Sequence, residues 1–281
     1  MTIMALHSAR LLSGAALLAA LPVYAADSPA NGMTATANIN LVSQYRFRGI
    51  DQTWGKPAVQ GGFDLTLPQG FYAGAWASNI SGNSYPGGNL EVDYYGGYNF
   101  RISEDWSATV GGYGYWYPGA NVNRAACPSA AYAMPCSLPS QRFNTFELNA
   151  GVTWKWISYK LSVSATDYFG ANTATGYSRG THGSLYHDLT ATVPFADGWS
   201  MVAHIGRTDV RARYGALNPD YTDYRLALVK TFPGGWNASA AVIGASNNAF
   251  FRPPTGGLSA GNGDTRALNK TMLVLQAGRT F

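Results

Sequence analysis

Beyond residue 34 the chain repeats one unit: an alternating polar–apolar segment, a tight turn, and at once a large aromatic residue. Phe71-Tyr72 follow Pro68-Gln69-Gly70, and Trp106 follows Arg101-Ile102-Ser103-Glu104-Asp105. Trp156 follows Lys155, Trp199 follows Ala196-Asp197-Gly198, and Trp236 follows Pro233-Gly234-Gly235. The segments entering these turns end on Leu67, Phe100, Trp154, Phe195 and Phe232, and the last residue is Phe281. In a closed up-and-down barrel all these positions share one level. A belt of rings at one level is what a membrane–water interface selects, because a ring has an apolar body and tolerates a wet edge. A soluble sandwich gives no reason to repeat it at every turn of one end.

The segments between turns have period two. From Ala35 to Phe47, the set Ala35, Ala37, Ile39, Leu41, Tyr45 and Phe47 opposes Asn38, Asn40, Gln44 and Arg46. Phe63 and Leu65 oppose Asp64, Val92 opposes Glu91 and Asp93, Leu148 opposes Glu147, Leu161 opposes Lys160, and Leu189 opposes Asp188. Ile205 likewise opposes His204, and Leu273 and Leu275 oppose Gln276. Three segments, Phe71 to Ile80, Trp106 to Tyr117 and Tyr221 to Phe232, mix both classes on both faces and leave their register open. Trp236 to Ala245 reads only weakly as a strand.

Twelve segments result, with tight turns alternating with longer loops at 48–57, 81–89, 118–142, 169–183, 209–220 and 246–268. Segments of about 10 residues suit strands crossing a bilayer at a tilt near 45°. In lipid every backbone polar group needs a partner, so the sheet must close. The expected fold is all-β: a closed antiparallel up-and-down transmembrane barrel of about twelve strands over 35–281, with short periplasmic turns and long extracellular loops.

Alternation alone does not say which face is wet; a lipocalin-like soluble barrel has the same period and the opposite polarity. The belt, and an export signal, favour apolar-out. Arg10, the apolar run Leu11 to Leu21 and Val23-Tyr24-Ala25 form a signal-peptide pattern over 1–25, followed by a short segment at 26–34. Charged residues are 12% of the chain, against roughly 25% in soluble domains, which suits strands with one face in lipid. A net charge of +4, scattered along the chain, gives no nucleic-acid footprint. Cys127 and Cys136 share one Pro/Ala-rich loop. In an oxidising compartment they are expected to pair, closing about ten residues and stabilising the loop by roughly 2.7 kcal/mol.

The face opposite lipid collects ionisable groups: Arg46, Arg48, Asp64, Glu91, Asp93, Glu147, Lys160, Asp188 and His204. Arg46 with Arg48, and Glu91 with Asp93, are like charges two residues apart, tolerable only near water or counter-charges. One interpretation is a narrow charged lumen passing small polar solutes. The other is a set of buried pairs that fills the barrel and makes it structural or an interaction module. A third is a lipid-modifying hydrolase, for which His204, Ser200 and Asp188 are the conceivable residues, without a motif. The histidines lack metal-ligand spacing, no cofactor motif is present, and no phosphate-cradling loop precedes a helix.

At LVSQYRFRGIDQTWGKPAVQGGFD (41–64), GFYAGAWASNI (70–80) and LEVDYYGGY (90–98) the sequence resembles the TorF-like family of proteobacterial outer-membrane porins. The resemblance covers about sixty residues and fades afterwards. It implies an outer-membrane barrel with a pore role, and no substrate. Phe281 resembles the aromatic C-terminal residue of bacterial outer-membrane proteins, which implies the barrel-assembly machinery as a partner, besides outer-membrane lipids.

Overall fold

The structure, a computed structural model, describes residues 32–125, 139–252, 258–259 and 265–281. The signal-peptide segment and both cysteines lie outside the described residues. In chain order the elements are β1 (Thr34–Val42), β2 (Arg46–Phe47), β3 (Ile50–Asp51), β4 (Ala58–Thr66), β5 (Phe71–Asn79), β6 (Leu90–Arg101), β7 (Trp106–Trp116) and β8 (Thr145–Trp154). They continue with β9 (Ile157–Ser164), β10 (Leu185–Ala196), β11 (Trp199–Asp209), β12 (Tyr221–Thr231), β13 (Trp236–Ala245), one helical turn α1 (Asn248–Phe251), β14 (Leu258–Ser259), β15 (Thr265–Arg266) and β16 (Met272–Thr280).

Among the described residues twelve strands close a barrel in the order β1-β16-β13-β12-β11-β10-β9-β8-β7-β6-β5-β4. Every neighbouring pair is antiparallel, and the seam closes where β1 meets β16, with Leu41 opposite Ala277 and Ile39 opposite Arg279. The amide of Phe281 donates to the carbonyl of Ala37 at 2.8 Å, so the last residue sits at the tight-turn end.

The polarity of the wall is settled within single strands. On β8, Glu147 is 2% exposed and its neighbour Leu148 is 56% exposed. The same inversion runs around the barrel: Ile39, Leu41, Val59, Phe63, Ile205, Leu226, Leu273 and Leu275 are exposed, while Asn40, Gln60, Glu91, Asp93, Asp188, Asp223 and Gln276 are buried. A water-soluble fold would carry the reverse arrangement. An apolar outer face over polar contents is the arrangement a bilayer stabilises.

The structure also sets the faces that periodicity left open. β5 turns Trp76 and Ser78 inward, and β7 turns Tyr115 inward and Val110 and Trp116 outward. β12 turns Asp223 and Arg225 inward and Tyr224, Leu226 and Leu228 outward.

One stretch departs from the expected strand. β1 ends at Val42, and the chain then bends into the barrel mouth as a two-stranded hairpin, β2–β3. Tyr45, expected on the lipid face, is 2% exposed and inside. The hairpin turn is Arg48-Gly49, with φ of +46° and +76°. Two successive positive values are what a type I′ turn requires, and that turn's twist matches the strands it joins. The alternation breaks at Val42-Ser43, where β1 ends, and resumes through Tyr45-Arg46-Phe47, so the inward segment itself reads like a wall strand.

Candidate functional site

The inward hairpin is held at four places. Arg46 donates through Nη1 to the carbonyls of Gly49 (3.1 Å) and Leu268 (2.8 Å), and through Nε to Gln44. Burial pushes its guanidinium down to about 10, and the neighbouring Asp51 carboxylate acts the other way, so Arg46 is a cation at neutral pH. Asp51 accepts from the amides of Thr53 (3.1 Å) and Gly55 (3.2 Å) and from Nε of Arg266 (2.5 Å).

Arg48 reaches the far wall. Its two terminal nitrogens donate to Glu147 at 2.9 and 2.7 Å, and one also donates to the Tyr168 hydroxyl at 3.2 Å. Its guanidinium carbon lies 3.8 Å from the centre of the Tyr186 ring. This is a two-pronged fork on a carboxylate, stacked on an aromatic face, and arginine's planar geometry suits both contacts. Phe47 packs edge-on against Tyr115 and Phe169 at 5.3 and 5.6 Å between centroids.

Gly49 forms the tip. A Cβ there would lie 2.6 Å from the Gly244 carbonyl oxygen and 2.8 Å from Asp223 Cβ. The hairpin therefore folds inward from β1 with its tip against β12 and β13, two to three strands away around the ring, while Arg48 reaches across the lumen to β8. Gly49→Val combines left-handed backbone strain with a clash and should weaken seating of the hairpin by about 1–3 kcal/mol. The check is amide exchange at Asp51 and Gln52, expected to accelerate roughly 5- to 150-fold while the strand amides keep their protection.

Below and beside the hairpin the two walls differ. On β6, Glu91 Oε1 accepts from the hydroxyls of Tyr45 (3.1 Å) and Tyr117 (3.2 Å), and Asp93 Oδ2 accepts from Tyr113 (2.9 Å). The second oxygens, Glu91 Oε2 and Asp93 Oδ1, have no partner among the described residues. Half-buried Asp64 accepts from Tyr95 at 2.6 Å. On the other wall His204 is clamped between carboxylates. Its Nδ1 lies 3.2 Å from Asp188 Oδ1 and its Nε2 lies 2.9 Å from Asp223 Oδ1. An imidazole can donate at both nitrogens only as the imidazolium. Lys160 stands opposite Asp188 in the β9–β10 register.

Of the ionisable residues singled out from the sequence, the structure thus brings Arg48 to Glu147, Asp188 to His204, and Glu91 to Asp93. It does not bring Arg46 to any of the wall carboxylates. Sequence reasoning missed Asp223, Arg225 and the tyrosines that hold the carboxylates; Asp223, Arg225, Tyr113 and Tyr117 fall in segments with mixed faces, whereas Tyr45 and Tyr95 lie in segments whose alternation is clear. The belt residues Phe71, Trp106, Trp156, Trp236 and Phe281 are exposed, and Trp199 is half-buried. Cations lie over the rings of this level: Lys155 at Trp154, Lys230 at Trp199 and Arg279 at Trp236 and Phe281. Among the described residues no group of three His, Cys, Asp or Glu side chains could hold a metal ion.

Comparison with solved structures returns barrels at low identity. The KdgM porin in complex with disordered oligogalacturonate is 6% identical, with a TM-score of 0.48 over 88% of this chain and 98% of that one. The NanC porin is 9% identical, with a TM-score of 0.47 over 88% and 99%. An outer-membrane channel from Pseudomonas putida F1 is 13% identical, with a TM-score of 0.41 over 91% and 98%. At this level the likeness adds nothing to the barrel already described. No curated protein matches the sequence. A family model described as "Bacterial protein of unknown function (Gcw_chp)" matches residues 26–281, and the chain belongs to that family.

Proposed function

We propose that the protein is an outer-membrane porin of the TorF-like kind, passing small polar solutes through a narrow charged lumen that the β2–β3 hairpin closes in this conformation. The observation that carries this is what fills the mouth. Barrels of about eight strands are filled by their own wall, whereas twelve strands enclose more space. Here that space is occupied by a loop segment anchored by side-chain contacts, the Arg48–Glu147 fork, the Asp51–Arg266 pair, Arg46 on carbonyls and Phe47 on two rings, and not by the barrel's strand ladder, an arrangement that can be withdrawn. On this reading Arg46, Arg48, Asp64, Glu91, Asp93, Glu147, Lys160, Asp188 and His204 border the pathway. Export through a cleaved leader, a Cys127–Cys136 bridge in an extracellular loop, and assembly through the strand ending in Phe281 belong to the same proposal.

One observation favours a non-conducting structural barrel: Glu91 and Asp93 are wholly inaccessible. Planar-bilayer recording separates the two. Wild-type protein should conduct, and Glu91→Gln with Asp93→Asn should lower its cation preference under a salt gradient, because lumenal charge sets selectivity. Absence of conductance from both proteins, with insertion verified, would leave the structural barrel. A hydrolase is the weakest of the three readings, because His204 has a carboxylate at each nitrogen and neither is available as a base for Ser200.

A further inference from the structure

Among the described residues Arg225 is a cation inside the barrel with no hydrogen bond or ion pair. It is 7% exposed, and its Nε and Nη2 are buried with no hydrogen-bond partner. It is flanked on β12 by outward-facing Tyr224 and Leu226, so its side chain turns to the lumen. No neighbour on that face accepts a hydrogen bond from it among the described residues, although Asp223, two residues back on the same face, keeps one buried oxygen, Oδ2, without a partner. Across the β11–β12 register stands His204, already committed to Asp188 and Asp223; across β12–β13 stands Ile243. One pleat further lies Ala227, which with Val202 and Ala241 forms a buried apolar patch, with Val229 and Ile243 packed against it. The free carboxylate oxygens of Glu91 and Asp93 are on β6, six strands away around a twelve-strand ring, on the opposite wall.

A buried carboxylic acid can relieve such a position by taking up a proton. A guanidinium has no comparable escape near neutral pH, and burying its donor groups without acceptors is strongly unfavourable. The position is sensible if the missing acceptors for the fork arrive with a solute. Arg225 also lies where a solute would pause. The hairpin tip, Gly49, packs on Asp223 and Ala245, so Arg225 is the next inward group toward the tight-turn end.

We propose that Arg225 is the binding point, directly beneath the hairpin, for the carboxylate of a small organic acid. The planar fork takes a carboxylate through two parallel hydrogen bonds. The Val202, Ala227 and Ala241 patch takes the acid's short carbon chain. The acidic β6 wall favours the orientation with the carboxylate toward β12. The inference rests on the channel reading only for how the acid enters and leaves.

The test is binding, read without conductance. The full-length barrel is refolded in detergent in the presence of sodium butyrate, sodium phosphate or sodium chloride at matched ionic strength, and its unfolding midpoint is followed against concentration. Butyrate should raise the wild-type midpoint saturably, as a ligand specific for the folded state does, and chloride should not. Arg225→Gln should abolish the butyrate response. Arg225→Lys, which keeps the charge without the fork, should weaken apparent affinity at least tenfold. Equal butyrate responses from wild type and Arg225→Gln would overturn the site. So would a response to phosphate but not to butyrate. If Arg225→Gln fails to fold, a wild-type barrel indifferent to butyrate overturns it alone. A barrel that binds butyrate but never conducts would retain the site and remove the channel; one that conducts without responding to butyrate would do the opposite.

Discussion

Leu148→Arg should destabilise the membrane-inserted barrel by about 2–4 kcal/mol, the cost of a guanidinium at the bilayer midplane on the lipid face of a barrel. Leu148 is 56% exposed and sits on β8 between Glu147, which is buried, and Asn149. Its partners on either side are Gly112 and Val163. It lies six residues from Trp154 of the aromatic belt. At about 3.4 Å per residue that is roughly 20 Å along the strand, and about 14 Å along the normal at a tilt near 45°. Half of a hydrocarbon core about 30 Å thick is about 15 Å, so the side chain meets the bilayer near its centre. The measurement is reversible denaturant unfolding from lipid vesicles. A soluble barrel with an apolar interior would give a near-neutral result, because arginine at an exposed site in water costs little. An unchanged midpoint would therefore invert the assignment of faces for the whole molecule.

That assignment, and the twelve-strand count, were legible in the sequence for a physical reason. Where one face meets lipid and the other meets buried polar groups, selection writes an alternation that survives without homologues, as in Glu147-Leu148 and Asp188-Leu189. The pattern fades where the inner face is itself apolar. In β12 the outward set Tyr224, Leu226, Leu228 and Lys230 runs beside inward Ala227 and Val229, so Asp223 and Arg225 were not recognised as inward-facing. β5 fails in the opposite sense: its outward residues Ala73, Ala75 and Ala77 are too small to mark a lipid face against inward Trp76.

The hairpin escaped for a third reason. Its residues keep the period-two alternation of a strand, and nothing in Tyr45-Arg46-Phe47 distinguishes a wall strand from one folded into a lumen. The available cues were Val42-Ser43, which invert the alternation where β1 ends, and Arg48-Gly49, a dipeptide placed for a two-residue turn. Arginine is an uncommon occupant of a positive-φ position, and its contacts with Glu147, Tyr168 and Tyr186 hold it there.

Those contacts make Arg48 the residue whose loss should change channel behaviour most. In Arg48→Ala the buried Glu147 keeps only the Tyr115 hydroxyl, at 3.4 Å. Removing one partner of a buried ion pair typically costs about 3–5 kcal/mol, because the remaining charge is stranded. Withdrawal of the hairpin would let water reach Glu147, so the open state escapes much of that cost. If all of it separates the two states, the open population rises by roughly two to three and a half decades, at about 1.4 kcal/mol per decade. Single-channel recording should show Arg48→Ala open for a far larger share of the time than wild type, at the same unit conductance. Adding Glu147→Gln should return the open fraction part of the way toward wild type, because no stranded charge then drives withdrawal, and the Arg46 and Asp51 contacts still seat the hairpin. Arg48→Lys should fall between wild type and alanine, having the charge but not the fork. An Arg48→Ala barrel that inserts and conducts with the wild-type open fraction would show that the hairpin is a fixed part of the wall, and that solutes pass beside it.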